Sequence, residues 1–158
     1  MKRHRQDCPV AGMLNIFGDH WTLLIVREAF YGATRFSEFE RNTSIAKNLL
    51  VGRLALLVDH DIFRKTDIGE NGTRYAYVLT EKGRSLLPVM VAMYQWGNQY
   101  LYENGQSPIR LNDRQSGQAV SELRVEASDG RVLDLNDIIA VPGPHASDAT
   151  RARLAQII

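Results

Sequence analysis

The sequence predicts a mainly α-helical fold with one β-hairpin, followed by a small C-terminal extension that contains β-structure. Apolar residues recur at helical spacing through most of the first 60 residues and again after Thr80. Between these regions they alternate along two short segments, which is the pattern of paired strands. With 158 residues, 44% of them hydrophobic and 23% charged, the composition is that of a globular protein.

Two helices are predicted before residue 31. The first spans 10–17 and ends at Gly18, a residue that commonly terminates helices. Asp19 has a side chain suited to N-capping, so the second helix is expected over 20–30. The residues expected to face the core are Trp21, Leu24, Ile25 and Phe30, and those expected to face solvent are Arg27 and Glu28.

A third and a fourth helix are predicted to follow closely. Ser37 is expected to cap the short third helix. Thr43 or Ser44 is expected to cap the fourth, which spans roughly 45–58. The core-facing stripe predicted for the fourth helix comprises Leu49, Leu50, Leu54, Leu57 and Val58.

A hairpin and a long helix complete this region. Residues 62–67 and 74–79 alternate in polarity around a glycine-flanked turn at 69–72. Thr80 is expected to cap a helix over 81–102, which is apolar around much of its circumference. The order of four helices, a hairpin and a helix is that of a winged helix-turn-helix, with the hairpin as the wing. So many apolar residues on the last helix favour a homodimer.

The fourth helix is the candidate recognition helix of this fold. In a helix-turn-helix the second helix enters the major groove of double-stranded DNA. Lys47 and Arg53 can pair with phosphates or guanine, and Asn48 can bind adenine through its amide. Thr43 and Ser44 are expected at the helix N-terminus, where hydroxyl and backbone N–H groups hold a phosphate.

The hairpin supplies a second set of candidate DNA contacts. Arg74 lies near its tip, with Asn71 and Thr73 beside it, and an arginine presented on a hairpin can enter the minor groove. Glu70 at the same tip opposes this role. The formal net charge of only +1 leaves open the alternative of a winged helix that binds protein and does not bind DNA.

Motifs in a fixed order extend through most of the first 100 residues. They are Cys8-Pro9-Val10, GDHWTLLI at 18–25, GATRFSEF at 32–39, IAKNL at 45–49, YVLTEKGR at 77–84 and Trp96-Gly97. In this order they resemble the HxlR-type regulators, which are relatives of the MarR-like winged-helix proteins. The sequence departs from that pattern at His20, at Ala46 where a serine is usual, and at Gly72 where a proline is usual.

The resemblance implies a DNA-binding transcription regulator, expected here to be a repressor, that dimerises through the first and last helices of the domain. It adds Arg35 and Ala46 to the expected DNA-binding surface. It also implies a response to small electrophiles or aromatic effectors, with Cys8 as the redox-sensing residue. A half-buried thiol packed at the dimer interface is the alternative reading of Cys8.

Other functional classes find little support in the sequence. The four histidines lack metal-ligand spacing, and the single cysteine excludes an intramolecular disulfide and a zinc ribbon. No catalytic motif or cofactor-binding motif is recognisable, so neither an enzyme nor a cofactor is expected. The absence of a signal peptide and of an apolar run long enough to span a membrane predicts a cytoplasmic protein.

The sequence divides into three predicted parts. Residues 1–103 form the DNA-binding and dimerisation domain, 104–120 a polar linker, and 121–158 the extension. Within the extension, the predicted elements are a hairpin of 121–127 and 131–135, a short strand at 138–141 and a helix over 149–158.

Overall fold

The computed structural model describes residue 4 and residues 6–69, 74–103 and 106–156. The chain divides into two units, one ending at Leu87 and the other beginning at Pro88. The predicted domain boundaries at 103 and 120 stay predictions. The elements are α1 (Pro9–Phe17), α2 (Thr22–Phe30), α3 (Phe36–Thr43), α4 (Lys47–Asp59), β1 (Phe63–Asp67), β2 (Tyr75–Leu79), α5 (Glu81–Arg84), α6 (Leu87–Tyr100) and α7 (Asp148–Leu154).

A short turn closed by Asp19 connects α1 to α2. Helix α1 ends as predicted at Gly18, whose N–H donates to Leu14 O over 2.8 Å. The carboxylate of Asp19 accepts hydrogen bonds from the N–H groups of Trp21 and Thr22 over 2.9 and 3.1 Å. Asp19 thus accepts from the first N–H group of α2, but the N-cap residue is Trp21 and the helix begins two residues later than expected, so the prediction that Asp19 is the N-cap is wrong.

Glu28 is buried, so the prediction that it faces solvent is wrong. The residue is only 7% exposed. One carboxylate oxygen accepts from Arg27 Nε and Nη2 over 3.0 and 2.7 Å, and the other accepts from Asn42 Nδ2 over 2.9 Å. Burial is tolerated because both oxygens have partners, and these contacts join α2 to α3.

Helix α3 begins at Phe36, so the prediction that Ser37 caps it is also wrong. Glu38 satisfies the helix N-terminus instead. Its Oε2 accepts hydrogen bonds from the N–H groups of Thr34 and Arg35, both over 2.8 Å. The capping carboxylate therefore comes from within the first turn of the helix.

The core-facing stripe of α4 is narrower than predicted. Leu50, Leu54 and Leu57 are at most 1% exposed, whereas Leu49 is 36% exposed and Val58 is half-buried. At about 100° per residue, Leu49 lies a quarter-turn from Leu50. One face of α4 is therefore committed to the core, and the N-terminal part of the opposite face is open.

The predicted hairpin is present. Strands β1 and β2 are antiparallel, and the register pairs Phe63 with Leu79. An isolated bridge between Arg35 and Ala76 attaches the segment before α3 to the hairpin. Beneath it, the ring of Phe39 lies 5.9 Å from that of Phe63, so α3 packs against the base of the wing.

The expected continuous helix over 81–102 is two helices. Thr80 caps α5 as predicted, since its Oγ1 accepts from Gly83 N over 3.0 Å. The helix then ends at Arg84, and α6 begins at Leu87. Pro88 explains the interruption, because it has no N–H to donate to the carbonyl of Arg84 and its ring would collide with that carbonyl.

Gly83 packs directly on the backbone that connects α4 to β1. A Cβ atom at this position would overlap the carbonyl oxygen of Ile62 and would lie 2.9 Å from Leu79 Cδ2. The same carbonyl accepts a hydrogen bond from Thr80 N over 3.0 Å, which fixes it in place. Only glycine allows α5 to lie this close to the hairpin.

The segment predicted as an unstructured linker contains a reverse turn. Within the described part of this segment, Asn112 and Ala119 form an isolated bridge. Asp113 N donates to Gln118 O, and Gly117 has a φ of 70°. The turn belongs to the second unit.

The extension holds less regular structure than predicted. The hairpin is reduced to one bridge between Glu126 and Val132, with Gly130 in the turn at a φ of 85°. Residues 138–141 form no strand, and a 3₁₀ turn at Leu135–Asp137 precedes them. The final helix α7 is capped by Ser147 and ends at Leu154. The last two residues, within the predicted helix, lie outside the described residues.

Candidate nucleic-acid interface

The turn between α3 and α4 lies at the centre of the candidate interface. Thr43 is the last residue of α3, and its Oγ1 donates to Phe39 O over 2.7 Å. Ser44 adopts a left-handed φ of 57°, and the next residue, Ile45, is 2% exposed. Neither Thr43 nor Ser44 caps α4, so that prediction is wrong: the N-cap residue is Ala46, and the helix begins at Lys47, two residues later than predicted.

The structure brings Ala46, Lys47 and Asn48 together at the N-terminus of α4. Ala46 is the N-cap residue and offers no side-chain acceptor to the first N–H groups of the helix. All three residues are exposed. Residues 44–58 contain no acidic side chain. This helix end therefore combines one cation, one amide and uncapped N–H groups, which together suit a phosphate or a base edge.

Arg53 lies apart from that group. Its Nε is buried and lies 3.3 Å from Asp19 Oδ1, and its side chain is 27% exposed. Among the described residues no hydrogen-bond partner satisfies that Nε. Because Nε faces Asp19 and about a quarter of the side chain is exposed, this placement does not test the role expected for Arg53 at phosphates or guanine, which stays a prediction.

Asp19 receives several contacts at once. Burial raises the pKa of its carboxyl, but hydrogen bonds from the Thr22 hydroxyl and from the N–H groups of Trp21 and Thr22, with the charge of Arg53, outweigh it. The net pKa lies below the ordinary value. Asp19 is therefore a carboxylate at neutral pH and a fixed negative charge beside α4.

Arg35 is exposed immediately before α3 and next to the hairpin. The N–H groups of Thr34 and Arg35 hold the pKa of the Glu38 carboxyl below its usual value. The Arg35 backbone is thus fixed by Glu38, while its side chain remains available on the surface.

The wing carries basic residues in addition to the predicted Arg74. Arg74 is exposed immediately before β2, whereas Asn71 and Thr73 lie outside the described residues. Arg64 and Lys65 on β1 are also exposed, and Lys65 Nζ lies 3.6 Å from the ring centroid of Tyr75. Their position on a strand of a predicted wing was the available signal.

Cys8 is the N-cap residue of α1 and is half-buried. Pro9 follows at the first helical position and has no N–H, so the helix donors nearest to the thiol come from later residues. The basic residues at positions 2, 3 and 5 lie outside the described residues.

Apolar side chains are exposed on both helices expected to form a dimer. On α1, Val10 is 65% exposed. On α6, Met93, Trp96 and Tyr100 are 48%, 59% and 62% exposed and follow each other at helical spacing. The Trp96 and Tyr100 rings lie 5.4 Å apart. Large apolar groups in such a row mark an interaction surface.

A cavity of about 400 Å³ lies within the second unit, between α6 and the reverse turn. Its walls include Tyr94, Gln95 and Asn98 from the helix and Arg110 and Val120 from the turn. Gln95 closes one side by donating to Ser121 O over 2.8 Å.

The described residues contain no cluster of three or more metal-ligating side chains. In the same ranges, no helix has the length and apolar character needed to span a bilayer.

Comparisons with known proteins agree with this architecture. The profile of the HxlR-like helix-turn-helix family matches residues 16–105. An uncharacterised HTH-type transcriptional regulator of Mycobacterium tuberculosis is 34% identical over 135 residues, which is 85% of each chain.

Two solved structures extend the comparison. PA1607, described as a candidate transcription factor, is 44% identical, with a TM-score of 0.80 over 86% of this chain and 95% of its own. The redox regulator HypR in its reduced form is 30% identical, with a TM-score of 0.55 over 60% of this chain and 96% of its own. These relatives are named as regulators and not as enzymes, and the chain belongs to the HxlR-like helix-turn-helix family of transcription regulators.

Proposed function

We propose that this regulator is a homodimeric repressor that reads a specific DNA sequence with the N-terminus of α4. The observation that supports the proposal is the exposed, acid-free helix end formed by Ala46, Lys47 and Asn48. Lys47 would contact a phosphate or guanine, and Asn48 would bind adenine through its amide. The uncapped first turn of α4 would hold a backbone phosphate.

The wing would supply contacts beside the major groove. Arg74, Arg64 and Lys65 present basic side chains along the hairpin, and Arg35 lies next to it. Arginine inserted into a narrow minor groove and lysine on the flanking phosphates are the roles that suit these positions.

The homodimer would form through the exposed apolar residues of α1 and α6, led by Val10, Trp96 and Tyr100. Two copies would then present two α4 helices to the half-sites of one operator. The symmetric arrangement doubles a DNA-binding surface that is small in each copy.

Cys8 would connect the regulator to oxidants or electrophiles. It stands at the start of a helix proposed to lie in the dimer interface, and HypR, a redox regulator, is a structural relative. Helix N-termini favour the reactive thiolate. With one cysteine per chain, the possible products are an intersubunit disulfide, a mixed disulfide or an adduct.

The first experiment measures binding of the reduced protein to its own upstream DNA at several salt concentrations. Affinity should fall steeply with salt, because phosphate neutralisation releases counterions. Lys47→Ala should reduce the salt slope by about one. Arg153→Ala, which removes an exposed charge from α7, is the control and should leave the slope unchanged. Equal behaviour of the two variants would contradict the assigned interface.

The second experiment tests Cys8 and repression. Diamide or a quinone should weaken DNA binding of the wild-type protein and leave Cys8→Ser unaffected. To test repression, a reporter gene is placed behind the upstream DNA, and its expression should be higher when the gene of the regulator is deleted. Loss of binding in Cys8→Ser on oxidation would discard Cys8 as the sensor.

The low net charge of +1 supports a second candidate, a winged helix that binds a protein partner. In that case binding would be nearly insensitive to salt, and Lys47→Ala would leave it unchanged.

A further inference from the structure

Asp19 is held rigidly in the turn between α1 and α2. Its Oδ1 accepts from Trp21 N and Thr22 N, and its Oδ2 accepts from Thr22 Oγ1 over 2.5 Å. The side chain is only 11% exposed. The carboxylate therefore has one orientation, with Oδ1 directed at α4.

Arg53 is the group on α4 that meets this carboxylate. The 3.3 Å separation joins Arg53 Nε to Asp19 Oδ1, and that Nε is buried without a satisfying hydrogen bond. Such a nitrogen depends on the opposite charge beside it, since removal of one partner leaves the other buried and uncompensated. The pair is thus a fixed point of contact between α4 and the turn.

The position of this contact along α4 is informative. Arg53 follows Lys47 by six residues, which places it about 9 Å further along the helix axis. In a helix-turn-helix the bases are contacted by the N-terminal residues of the recognition helix. The Asp19 contact therefore lies on the C-terminal side of Lys47 and Asn48, and it constrains the direction in which the N-terminus of α4 projects.

We propose that Asp19 and Arg53 are positioning residues for DNA recognition: their pair fixes the orientation of α4, and Arg53 is not itself a DNA contact. The inference rests on the proposed DNA-binding function. It explains why an acidic residue is fixed beside a helix that approaches phosphates. The carboxylate neutralises Arg53 and aligns Lys47 and Asn48.

The direction in which Asp19→Asn changes the affinity for DNA distinguishes a positioning role from a direct contact. If Arg53 bound phosphate and Asp19 merely restrained it, Asp19→Asn would release a cation and strengthen DNA binding. If the pair positions α4, Asp19→Asn should weaken binding to the upstream DNA about tenfold, although it removes a negative charge. Arg53→Gln should weaken binding by a similar factor, and the double variant by no more than either single one.

The salt dependence provides a second readout. Arg53→Gln should lower affinity while the salt slope stays at the wild-type value, in contrast to the loss of about one for Lys47→Ala. Three outcomes would each overturn the inference. Asp19→Asn could bind DNA more tightly, Arg53→Gln could reduce the salt slope by about one, or the losses of affinity could add in the double variant. Far-UV circular dichroism would verify that each variant is folded.

A DNA-free measurement keeps this inference separate from the proposed function. Amide hydrogen exchange in the first two turns of α4 should be faster in Asp19→Asn and in Arg53→Gln than in the wild type. If the wild type fails to bind DNA, the proposed function fails, and exchange still decides whether the pair holds α4. Unchanged exchange in both variants would overturn the inference.

Discussion

Gly83 lies where α5 crosses the backbone that joins α4 to β1. The Ile62 carbonyl occupies the space of a Cβ, and it is itself fixed by the Thr80 N–H. The sequence pattern could place a glycine after the capping threonine, but it could not reveal this contact. The partner lies more than twenty residues earlier in the chain, and a long-range backbone approach leaves no periodic signal.

Substitution of this residue should be costly. Gly83→Ala is expected to lower the free energy of unfolding by about 1–3 kcal/mol, because backbone atoms must move to admit the methyl group. Urea unfolding followed by circular dichroism measures the change. Gly52→Ala is the matched control, since nothing lies within 4 Å of its Cβ position. Because Gly52 lies in the middle of α4, Gly52→Ala should raise the free energy of unfolding by about 0.5–1 kcal/mol. A neutral Gly83→Ala would contradict the close approach.

Glu28 shows a second limit at the residue scale. A helical pattern places residues on faces, and next to Arg27 a glutamate reads as surface. Its burial depends on Asn42, which approaches from α3 and donates to the carboxylate. Only the packing of the two helices shows that the charge is satisfied.

At the scale of elements, the number and order of the helices and the hairpin in the first 80 residues were predictable, as were the C-terminal ends of α1 and α2, whereas the starts of α2 and α4 were not. The sequence predicts a start of α4 at Ile45 because Thr43 and Ser44 are good capping residues. The chain uses the left-handed Ser44 to turn instead, and Ala46 becomes the N-cap. The DNA-facing assignment of Lys47 and Asn48 was compatible with either start, whereas the ion pair of Arg53 was not visible in the sequence.

The capping of α3 by Glu38 predicts an acid-sensitive contribution to stability. Two N–H groups hold the pKa of the Glu38 carboxyl below 4.5, the ordinary value for a glutamate. Because the folded pKa is depressed, the contribution is present above pH 4.5 and is lost as the pH falls through the folded pKa.

Lowering the pH from 6 to 3 should therefore reduce the melting temperature of Glu38→Gln by less than it reduces that of the wild type. Scanning calorimetry measures both changes. Glu40→Gln, on the same helix, serves as the control and should follow the wild type. If acid lowered the melting temperatures of Glu38→Gln and the wild type equally, the Glu38 cap would make no acid-sensitive contribution in this range.

At the scale of the whole molecule, the exposed apolar row of Met93, Trp96 and Tyr100 on α6 is expected to determine the oligomeric state. Trp96→Glu should convert the proposed dimer to monomers, because a carboxylate would be buried against an apolar partner. Sedimentation velocity measures the change, and Trp96→Phe should remain dimeric. A wild-type protein that sediments as a monomer at micromolar concentration would contradict the homodimer.

The extension was the part of the fold least accessible from the sequence. The glycine turn at 128–130 was predictable, but the alternating apolar residues on either side of it form one bridge in place of two paired strands. Alternation predicts a strand only where a partner strand and a surface to cover are available. Ile139 and Val141, expected in a strand, are more than 60% exposed.

That exposure has a thermodynamic consequence. Among the described large apolar residues of the second unit, Val91 and Leu154 are buried, while Leu135 is 83% exposed. The apolar row on α6 belongs to the same unit, and if a second copy covers that row, as the proposed dimer implies, folding and association are one equilibrium. The melting temperature would then rise with total protein concentration, and the fraction of regulator that is folded would be set by the number of copies present.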